Sequence, residues 1–439
     1  MDENELLRFC KIGKHGPYDI IDSRVAEYVT SRNHIMIVLG QAYIYQNGVF
    51  RLDKSGLFIQ HLIKQCILNE LVSNARIERV FKLILKDFRL QVEPEDINRY
   101  SNYWINFKNG MLDVQTGEMH EHSPKYRSIS QIPHNYKPGL DVTKTVFYKF
   151  IQSRIPDEEN QRMLFEFMGM CLLPSIIFAK FLILVGKGNA GKSVILNHVS
   201  RLVGAENIAA VPLHLLSERF TTASLLFKTV NICGDLSVTA IRDSAMIKQL
   251  TGLDMIKAEY KGKDIFFFRN RAKFLFSCNE LPSILDDRSN GFYRRLLVIR
   301  FENEGEFFPN LFDQLSDEDE IEALISHIVE GAKTSLNRGK IYESGASKGE
   351  VLNLRRESDS VEAFFDECIE LDEKSKIRRP DLFIAYENFC RQEERTPLRK
   401  TAFFKALRTK GHREGKVRGN IYVYGLHAKF IETDETPFK

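Results

Sequence analysis

The sequence predicts an α/β fold in which a parallel β-sheet forms the core of a middle domain. A mainly helical domain precedes it and a winged-helix domain follows it. Between residues 180 and 300, apolar runs typical of buried strands alternate with segments of helical periodicity, as in parallel α/β sheets. After residue 355 the order is helix, helix and alternating hairpin, as expected of a winged helix. We therefore predict domains over residues 1–140, 141–340 and 355–439.

The composition is that of a water-soluble globular protein, with 43% hydrophobic and 28% charged residues. A net charge of +3 does not favour any one class of partner. Seven cysteines without a CxxC pair predict free thiols in a reducing compartment. The charged N-terminus lacks an apolar signal segment, so we expect a cytoplasmic protein.

One apolar stretch, residues 168–185, has the length of a membrane span. Pro174 and Lys180 interrupt it, however, and it continues directly into a glycine-rich loop. A buried helix end followed by a core strand explains this stretch better than a membrane-spanning helix. We therefore expect no contact with a membrane.

The first region contains hairpin and helical patterns. Residues 43–53 and 102–124 alternate around turn dipeptides, and residues 57–88 have helical periodicity. The turn dipeptides are Asn47-Gly48, Asn109-Gly110 and Thr116-Gly117.

The segment ILVGKGNAGKSVIL, residues 183–196, has the strand, glycine loop and helix of a P-loop. A capped amphipathic helix over residues 157–174 precedes it. Successive loop N–H groups and the helix N-terminus would face phosphates, Lys192 would neutralise their charge, and the Ser193 hydroxyl would bind Mg²⁺. The predicted nucleotide-binding residues are Gly186, Lys187, Gly188, Asn189, Ala190, Gly191, Lys192, Ser193 and Val194.

Polar residues at the ends of later strands complete the predicted site. Asp235 ends the apolar run of VNICGDLS and suits a carboxylate that helps to hold Mg²⁺, although a loop aspartate would look the same. Asn279 follows KFLFSC and could sense the γ-phosphate, or it could simply cap the strand. Arg294 and Arg295 precede LLVIRF, where one could reach the γ-phosphate of a neighbouring subunit or both could form surface salt bridges.

A hairpin with a cationic tip is predicted within residues 247–274. Alternation on both sides of Lys261-Gly262-Lys263 places the two lysines at the turn. Such a tip suits a nucleic-acid phosphate backbone, but a solvated lysine-rich turn is the commoner alternative.

The C-terminal region is basic. It contains predicted helices over 381–394 and 398–411 and a hairpin over 412–426, and Glu414 is the single acid between Arg395 and Arg418. This charge asymmetry favours DNA binding over a merely solvated face. The predicted DNA contacts are Arg399, Lys400, Lys405, Arg408, Arg413, Lys416 and Arg418.

Taken together, these segments resemble the superfamily 3 helicases of the phage and plasmid primase-helicase type, related to the poxvirus D5-like ATPases. GKGNAGKS resembles their motif A, VNICGDLS motif B, IKQLTGLD with the KGK hairpin motif B′, and FSCNELP with GFYRRLLVIRF motif C and the arginine finger. YWINFKNGMLDVQTGEM resembles the helical domain that precedes this core.

The resemblance implies an AAA+ ATPase that forms hexameric rings, passes single-stranded DNA through a channel and opens forked DNA, with ATP and Mg²⁺ as cofactors. It implies catalytic roles for Lys192, Asp235, Asn279 and one of the two arginines, and DNA contacts at Lys261 or Lys263. Two departures stand out. Ala190 occupies a position where the family often has Asn, and motif B has one acid rather than two, which leaves the catalytic base unassigned.

Three functions follow as hypotheses. The first is a replicative helicase of a phage, plasmid or other mobile element in a bacterial host, which also recognises duplex origin DNA and works with a primase or another replication protein. The second is an ATP-driven loader or remodeller of replication proteins. The third is a DNA-binding regulator whose assembly is gated by nucleotide, an alternative that the single motif B acid keeps open.

Overall fold

The computed structural model describes residues 2–98, 101–236, 244–282, 290–301, 308–393, 395 and 397–429. Parts of three interpreted segments lie outside the described residues: residue 237 of motif B, residues 286–289 before the arginine pair, and residues 430–439.

The region before residue 140 is mixed rather than mainly helical. Four α-helices and eight strands in three antiparallel sheets occupy its described part. Its elements are α1 (Glu3–Leu7), β1 (Cys10–Gly13), β2 (Gly16–Ile20), α2 (Asp22–Arg32), β3 (Ile35–Val38), β4 (Gln41–Gln46), β5 (Val49–Leu52), α3 (Leu57–Lys64), α4 (Asn74–Leu85), β6 (Trp104–Phe107), β7 (Gly110–Asp113) and β8 (Met119–His120). The segment YWINFKNGMLDVQTGEM, predicted to belong to a helical domain, forms a three-stranded sheet, because its β-branched and aromatic residues alternate across tight turns.

The predicted hairpins of this region are present. Asn47 and Gly48 adopt φ values of 49° and 87° and connect β4 to β5, as a two-residue hairpin turn requires. In the second hairpin Phe107 pairs with Gly110, so the connecting residues are Lys108 and Asn109, one position earlier than predicted. Residues 57–88 form two helices instead of one continuous helical segment.

A five-stranded parallel sheet forms the middle of the chain, as predicted. Its strands are β9 (Phe181–Gly186), β10 (Ile208–Ala209), β11 (Val230–Cys233), β14 (Lys273–Cys278) and β15 (Leu296–Phe301). The spatial order is β10, β11, β14, β9, β15, with every neighbouring pair parallel. The P-loop strand β9 therefore lies between the strand that leads to Asn279 and the strand that follows the arginine pair.

Helices and one hairpin cover this sheet. They are α5 (Val146–Arg154), α6 (Glu158–Leu172), α7 (Lys192–Val203), α8 (Ala245–Thr251), β12 (Met255–Glu259), β13 (Ile265–Arg269), α9 (Asn290–Tyr293), α10 (Leu311–Gln314), α11 (Glu318–Arg338) and α12 (Gly345–Ser358). Leu182 and Leu184 face a core shared with α5, α6, α7 and α11, whereas Ile183 and Val185 face a core shared with the β12–β13 hairpin and α8. Alternation along β9 thus buries both faces of the sheet.

Helix α6 is the apolar helix predicted before the P-loop strand. Asp157 caps it by accepting a hydrogen bond from the N–H of Glu159, and the helix ends before Pro174. It is buried around almost its whole circumference rather than on one face. The span interpreted as a helix end followed by a core strand has that structure, and no helix in the described ranges has the length and apolar character needed to cross a bilayer.

Glu166 of α6 joins this helix to the end of α11. Its buried carboxylate accepts hydrogen bonds from Ser335 Oγ at 2.7 Å, from the backbone N–H of Tyr342 at 2.7 Å and from Arg338. Burial raises the pKa of Glu166, but the hydrogen bonds outweigh that effect and hold the pKa below its ordinary value. The charged form therefore stabilises this junction.

The polar segment 338–360, predicted as a junction, contains a helix packed on the sheet. Ser344 caps α12 by accepting a hydrogen bond from the N–H of Ser347, whose hydroxyl accepts one from Val298 of β15 at 2.9 Å. Arg300 of β15 pairs with Glu350. The glycines and serines of segment 338–360 suggested a loop. The contacts of Ser347 and Glu350 with β15 instead stabilise a helix there.

The C-terminal region has a separate hydrophobic core. Its elements are α13 (Ser360–Cys368), β16 (Ile369–Arg378), α14 (Arg379–Gln392), α15 (Lys400–Thr409), β17 (Glu414–Val417) and β18 (Asn420–Ala428). The two predicted helices and the hairpin are present, and the strand β16 was not predicted. Strand β18 lies between β16 and β17 in an antiparallel sheet.

Candidate functional site

The P-loop lies between the end of β9 and the start of α7. Gly191 precedes α7 with φ of +98°, and a Cβ atom there would lie 2.7 Å from Phe150 Cζ. Only glycine meets both conditions, because the left-handed backbone and the close aromatic ring each disfavour a side chain. Asn189 also has positive φ, at 62°, a conformation that asparagine tolerates well. Its placement one residue earlier than in the related motif therefore fits the local backbone.

Lys192 is buried beside three oxygen acceptors. Its Nζ donates to the carbonyl oxygen of Gly186, to that of Lys187 at 2.8 Å and to Asn279 Oδ1 at 3.3 Å. Gly186 and Lys187 thus contribute to the loop through carbonyl groups that bind the Lys192 ammonium. Ser193, at the start of α7, is exposed. The Lys192 ammonium group is therefore already positioned beside the loop to bind an anionic ligand.

Parallel strand ends bring the motif B and motif C residues to the P-loop. Asn279 directly follows β14, which pairs with β9. Asp235 lies just after β11, the strand on the other side of β14. Leu236 N–H donates to Ser277 O at 2.8 Å, which ties the Asp235 loop to β14. Asp235 has φ of 51°, so the chain turns sharply there.

These residues line one cleft of about 730 Å³. Side chains not predicted from the sequence also line it: Phe150 and Arg154 of α5, and Phe308, Asn310, Leu311, Phe312 and Asp313 around α10. No sequence motif marks them, because α5 precedes the P-loop by about 40 residues and α10 follows the last sheet strand. Only the fold brings them to the site.

The cleft contains the oxygen donors that Mg²⁺ prefers. The Ser193 hydroxyl and the Asp235 carboxylate are exposed on the same cleft beside the loop that would hold phosphates. These two residues therefore fit the predicted metal-binding role. Asp313 is the other carboxylate that lines the described part of the cleft.

The two thiols that precede Asn279 and Asp235 in the sequence are unsuited to act as nucleophiles. Burial raises the pKa of Cys278 to about 11, and burial together with the nearby Asp235 raises the pKa of Cys233. Both stay protonated at neutral pH, so the chemistry of this site rests on its oxygen and nitrogen groups.

The arginine pair lies at the opposite edge of the sheet from its own P-loop. The N–H of Phe181, at the start of β9, donates to Arg295 O at 2.9 Å, whereas the P-loop follows the end of the same strand. The first and last residues of this six-residue strand lie about 17 Å apart. Arg295 Nη1 donates to Gly291 O at 2.5 Å within its own chain, and the Arg294 side chain is exposed.

The predicted cationic hairpin is present between β12 and β13. Met255 pairs with Arg269 and Glu259 with Ile265, so residues 260–264 form the connection. Lys261 and Lys263 are exposed at its tip. One hairpin face packs on the sheet through Ile256 and Phe268, which projects the tip away from the core.

The basic residues predicted in the C-terminal region are all exposed. Arg399, Lys400, Lys405 and Arg408 lie on or just before α15, and Arg413, Lys416 and Arg418 lie on the β17–β18 hairpin. Phe403, Phe404 and Leu407 face the core on the other side of α15. Glu414, the single acid, lies 3.7 Å from Arg379, so its charge is partly compensated.

The strand, glycine turn and helix define a P-loop site on a parallel α/β sheet. Three family models match the chain: "D5 N terminal like" over residues 24–156, a family of unknown function (DUF5906) over residues 184–295, and "Poxvirus D5 protein-like" over residues 356–433. Together with the helicase relative described next, the two D5 matches confirm the resemblance to D5-like superfamily 3 helicases.

A curated protein of Acanthamoeba polyphaga mimivirus, named "Putative helicase L207/L206", is 26% identical over 213 residues. The match covers 46% of this chain and 22% of that protein, so the chain corresponds to about a fifth of its length. Among solved structures, the A form apo structure of the NrS-1 C-terminal region is similar over 92% of this chain and 98% of that chain, with a TM-score of 0.52 and 12% identity. A second apo structure of the same region gives a TM-score of 0.50. These likenesses concern the fold.

Proposed function

We propose that this chain is an ATP-driven DNA helicase that acts in the replication of a phage, plasmid or other mobile element and moves along single-stranded DNA as a ring. The observation that carries the proposal is the cleft in which Lys192, Ser193, Asp235 and Asn279, predicted from three separate motifs, lie together. The resemblance to D5-like helicases supports the same conclusion.

In the proposed reaction the P-loop amides bind the phosphates of ATP, and Lys192 exchanges loop carbonyl acceptors for phosphate oxygens. Ser193 and Asp235 hold Mg²⁺, which when bound neutralises phosphate charge. Asn279, which accepts a hydrogen bond from Lys192, would orient the attacking water or sense the γ-phosphate. Release of that contact as phosphate binds would connect nucleotide state to β14.

We assign the role of finger to Arg294 rather than Arg295. Arg294 is exposed, whereas Arg295 donates to its own chain. Since Arg294 lies at the edge of the sheet opposite its own P-loop, it would act on the nucleotide of a neighbouring subunit. An AAA+ hexamer is the assembly we propose, with Lys261 and Lys263 contacting single-stranded DNA.

For the C-terminal region we propose a winged helix that binds duplex DNA at an origin. The order α13, β16, α14, α15, β17, β18 supports this assignment, as do the exposed cations on α15 and the last hairpin.

Unwinding of a forked DNA with MgATP tests the proposed function. Wild type should separate the strands, whereas Lys192→Ala and Arg294→Ala should each fail. Arg89→Ala, which removes an exposed arginine of the first region, is the matched control and should remain active. Mixing the two inactive variants should restore part of the activity, because some interfaces would pair an intact P-loop with an intact Arg294.

Two results would redirect the assignment. ATP hydrolysis without strand separation would favour a loader or remodeller of replication proteins. Nucleotide binding without turnover, even with single-stranded DNA present, would favour a nucleotide-gated DNA-binding regulator.

A further inference from the structure

The cleft extends beyond the part that phosphates would occupy. Its volume of about 730 Å³ lies in the range of sites that hold a whole cofactor-sized ligand. The P-loop forms one wall, and α5 with the residues around α10 forms the other. The sequence motifs give no role to the residues of this second wall.

Aromatic rings run along the second wall. Phe150 lies against Gly191 at the start of α7. Its ring meets Phe308 edge to face, with centroids 5.7 Å apart. Phe312 also lines the cleft and keeps 55% of its surface exposed, so one large ring remains open to a ligand. A base can stack on such a ring.

Hydrogen bonds fix this wall to the P-loop helix. Arg201 of α7 donates through Nη1 to Ser316 Oγ at 2.5 Å and to Phe312 O at 3.4 Å. Ser316 Oγ in turn donates to Phe312 O at 2.6 Å. The backbone of Phe312 is thereby connected to the same helix whose N-terminus faces the phosphate site.

The charges of the cleft give a bound nucleotide one orientation. Lys192 belongs to the P-loop, and Arg154 of α5 lies against Gly191, where its Cγ is 3.6 Å from the position of a Cβ atom, so both cations lie at the P-loop end, whereas Asp313 is the acid near α10. A triphosphate is attracted to the first end and repelled from the second. The base therefore falls beside Phe312.

The Asn310 amide, which lines the cleft with Phe312, matches the N7 and N6 edge of adenine better than the N7 and O6 edge of guanine. The Asn310 amide offers a donor and an acceptor, the pair that adenine N7 and its N6 amino group require. The Asp313 carboxylate only accepts hydrogen bonds, and it can accept them from the adenine amino group or from guanine N1–H and its 2-amino group, so it does not distinguish the two bases.

We propose that Phe312 stacks on the base of the bound nucleotide and that Asn310 selects adenine. This inference rests on the proposed function, because it concerns ATP in the same cleft. If so, a change at Phe312 should lower the affinity for ATP, which has a base, without lowering the affinity for tripolyphosphate, which has none.

Calorimetric titration of the full chain with MgATP and with magnesium tripolyphosphate tests the proposal. Phe312→Ala should weaken ATP binding about tenfold or more while leaving tripolyphosphate binding unchanged. Phe312→Tyr should retain ATP affinity. Phe88→Ala, which removes an exposed phenylalanine that does not line the cleft, is the matched control. Asn310→Ala should reduce the preference for ATP over GTP.

The outcomes separate this inference from the proposed function. If Phe312→Ala binds both ligands as wild type does, or loses both equally, the base site is overturned while ATP binding stands. An unchanged ATP preference in Asn310→Ala would overturn the selection of adenine. If wild type binds neither ATP nor tripolyphosphate, the proposed function fails as well.

Discussion

At the scale of single residues, left-handed backbone conformations occur at several positions that line the cleft. Asn189, Gly191 and Asp235 all have positive φ, and each lies at the P-loop or beside it. Such conformations cost free energy for a non-glycine residue and persist only when surrounding contacts hold them. The residue types could be predicted from motif spacing. Their backbone conformations could not, since those depend on contacts such as that between Leu236 and Ser277.

His198 gives a pH-dependent prediction. It lies buried on α7 with its ring 4.4 Å from that of Phe147. Burial, and then the charges of Arg201 and His134, lower its pKa to about 3. The unfolded chain takes up this proton near pH 6.5, so the folded protein loses stability as the pH falls from about 6.5 towards 3.

Replacing His198 by leucine should remove this acid-induced loss of stability. Between pH 7 and pH 5 the free energy of unfolding of His198→Leu should fall by about 2 kcal/mol less than that of wild type, as measured by urea denaturation. His15→Leu, at an exposed position, is the control and should keep the wild-type pH profile. Equal profiles for all three proteins would contradict the prediction.

At the scale of elements, several of the helices and hairpins that depend on interactions between residues close in sequence were predicted correctly. The P-loop strand and helix, the hairpin at Asn47-Gly48 and the KGK hairpin are confirmed because turn chemistry and alternation lie within a few residues. Strand β16 was missed since its sequence, IELDEKSKIR, is mostly polar and exposed, and it is a strand through its pairing with β18. Helix α12 was interpreted as a junction for a similar reason: its contacts to β15 are distant in sequence.

The hairpin β12–β13 carries the prediction about single-stranded DNA. Replacing both Lys261 and Lys263 by alanine should weaken binding and reduce the slope of log K against log salt by about 1.4, since each phosphate contact contributes about 0.7. The readout is fluorescence anisotropy at several salt concentrations. Lys14→Ala, in the exposed turn between β1 and β2, is the control. A lowered affinity with an unchanged slope would contradict a direct phosphate contact.

At the scale of the whole molecule, the sequence predicted half of the candidate site. Lys192, Ser193, Asp235 and Asn279 were found because parallel strands end at one edge of a sheet. The wall made of Phe150, Arg154 and the residues near α10 was missed. Its residues come from before and after the sheet, and no periodicity indicates which helix will cover a cleft.

The C-terminal region has its own core, so removing it tests its role. Ending the chain after Ser358 preserves α12, whereas an end at residue 355 would cut the helix. The shortened protein should keep the ATPase activity that we propose and lose any preference for a particular duplex in competition binding. Lys405→Ala with Arg408→Ala in the full chain should give the same loss, and unchanged selectivity would contradict the prediction.

The opposite placement of the P-loop and Arg294 restricts the symmetry of any assembly. Each chain would accept an arginine at one edge of its sheet and supply one at the other, so the two contacting surfaces are unlike. A two-fold dimer repeats the same surface on both partners and would not use either edge in this way. Head-to-tail contacts of this kind close into a ring when the rotation between neighbours divides a full turn, and otherwise continue as a helical filament. The angle between neighbouring chains therefore sets the form of the assembly, and small changes at either edge would alter how many subunits it contains.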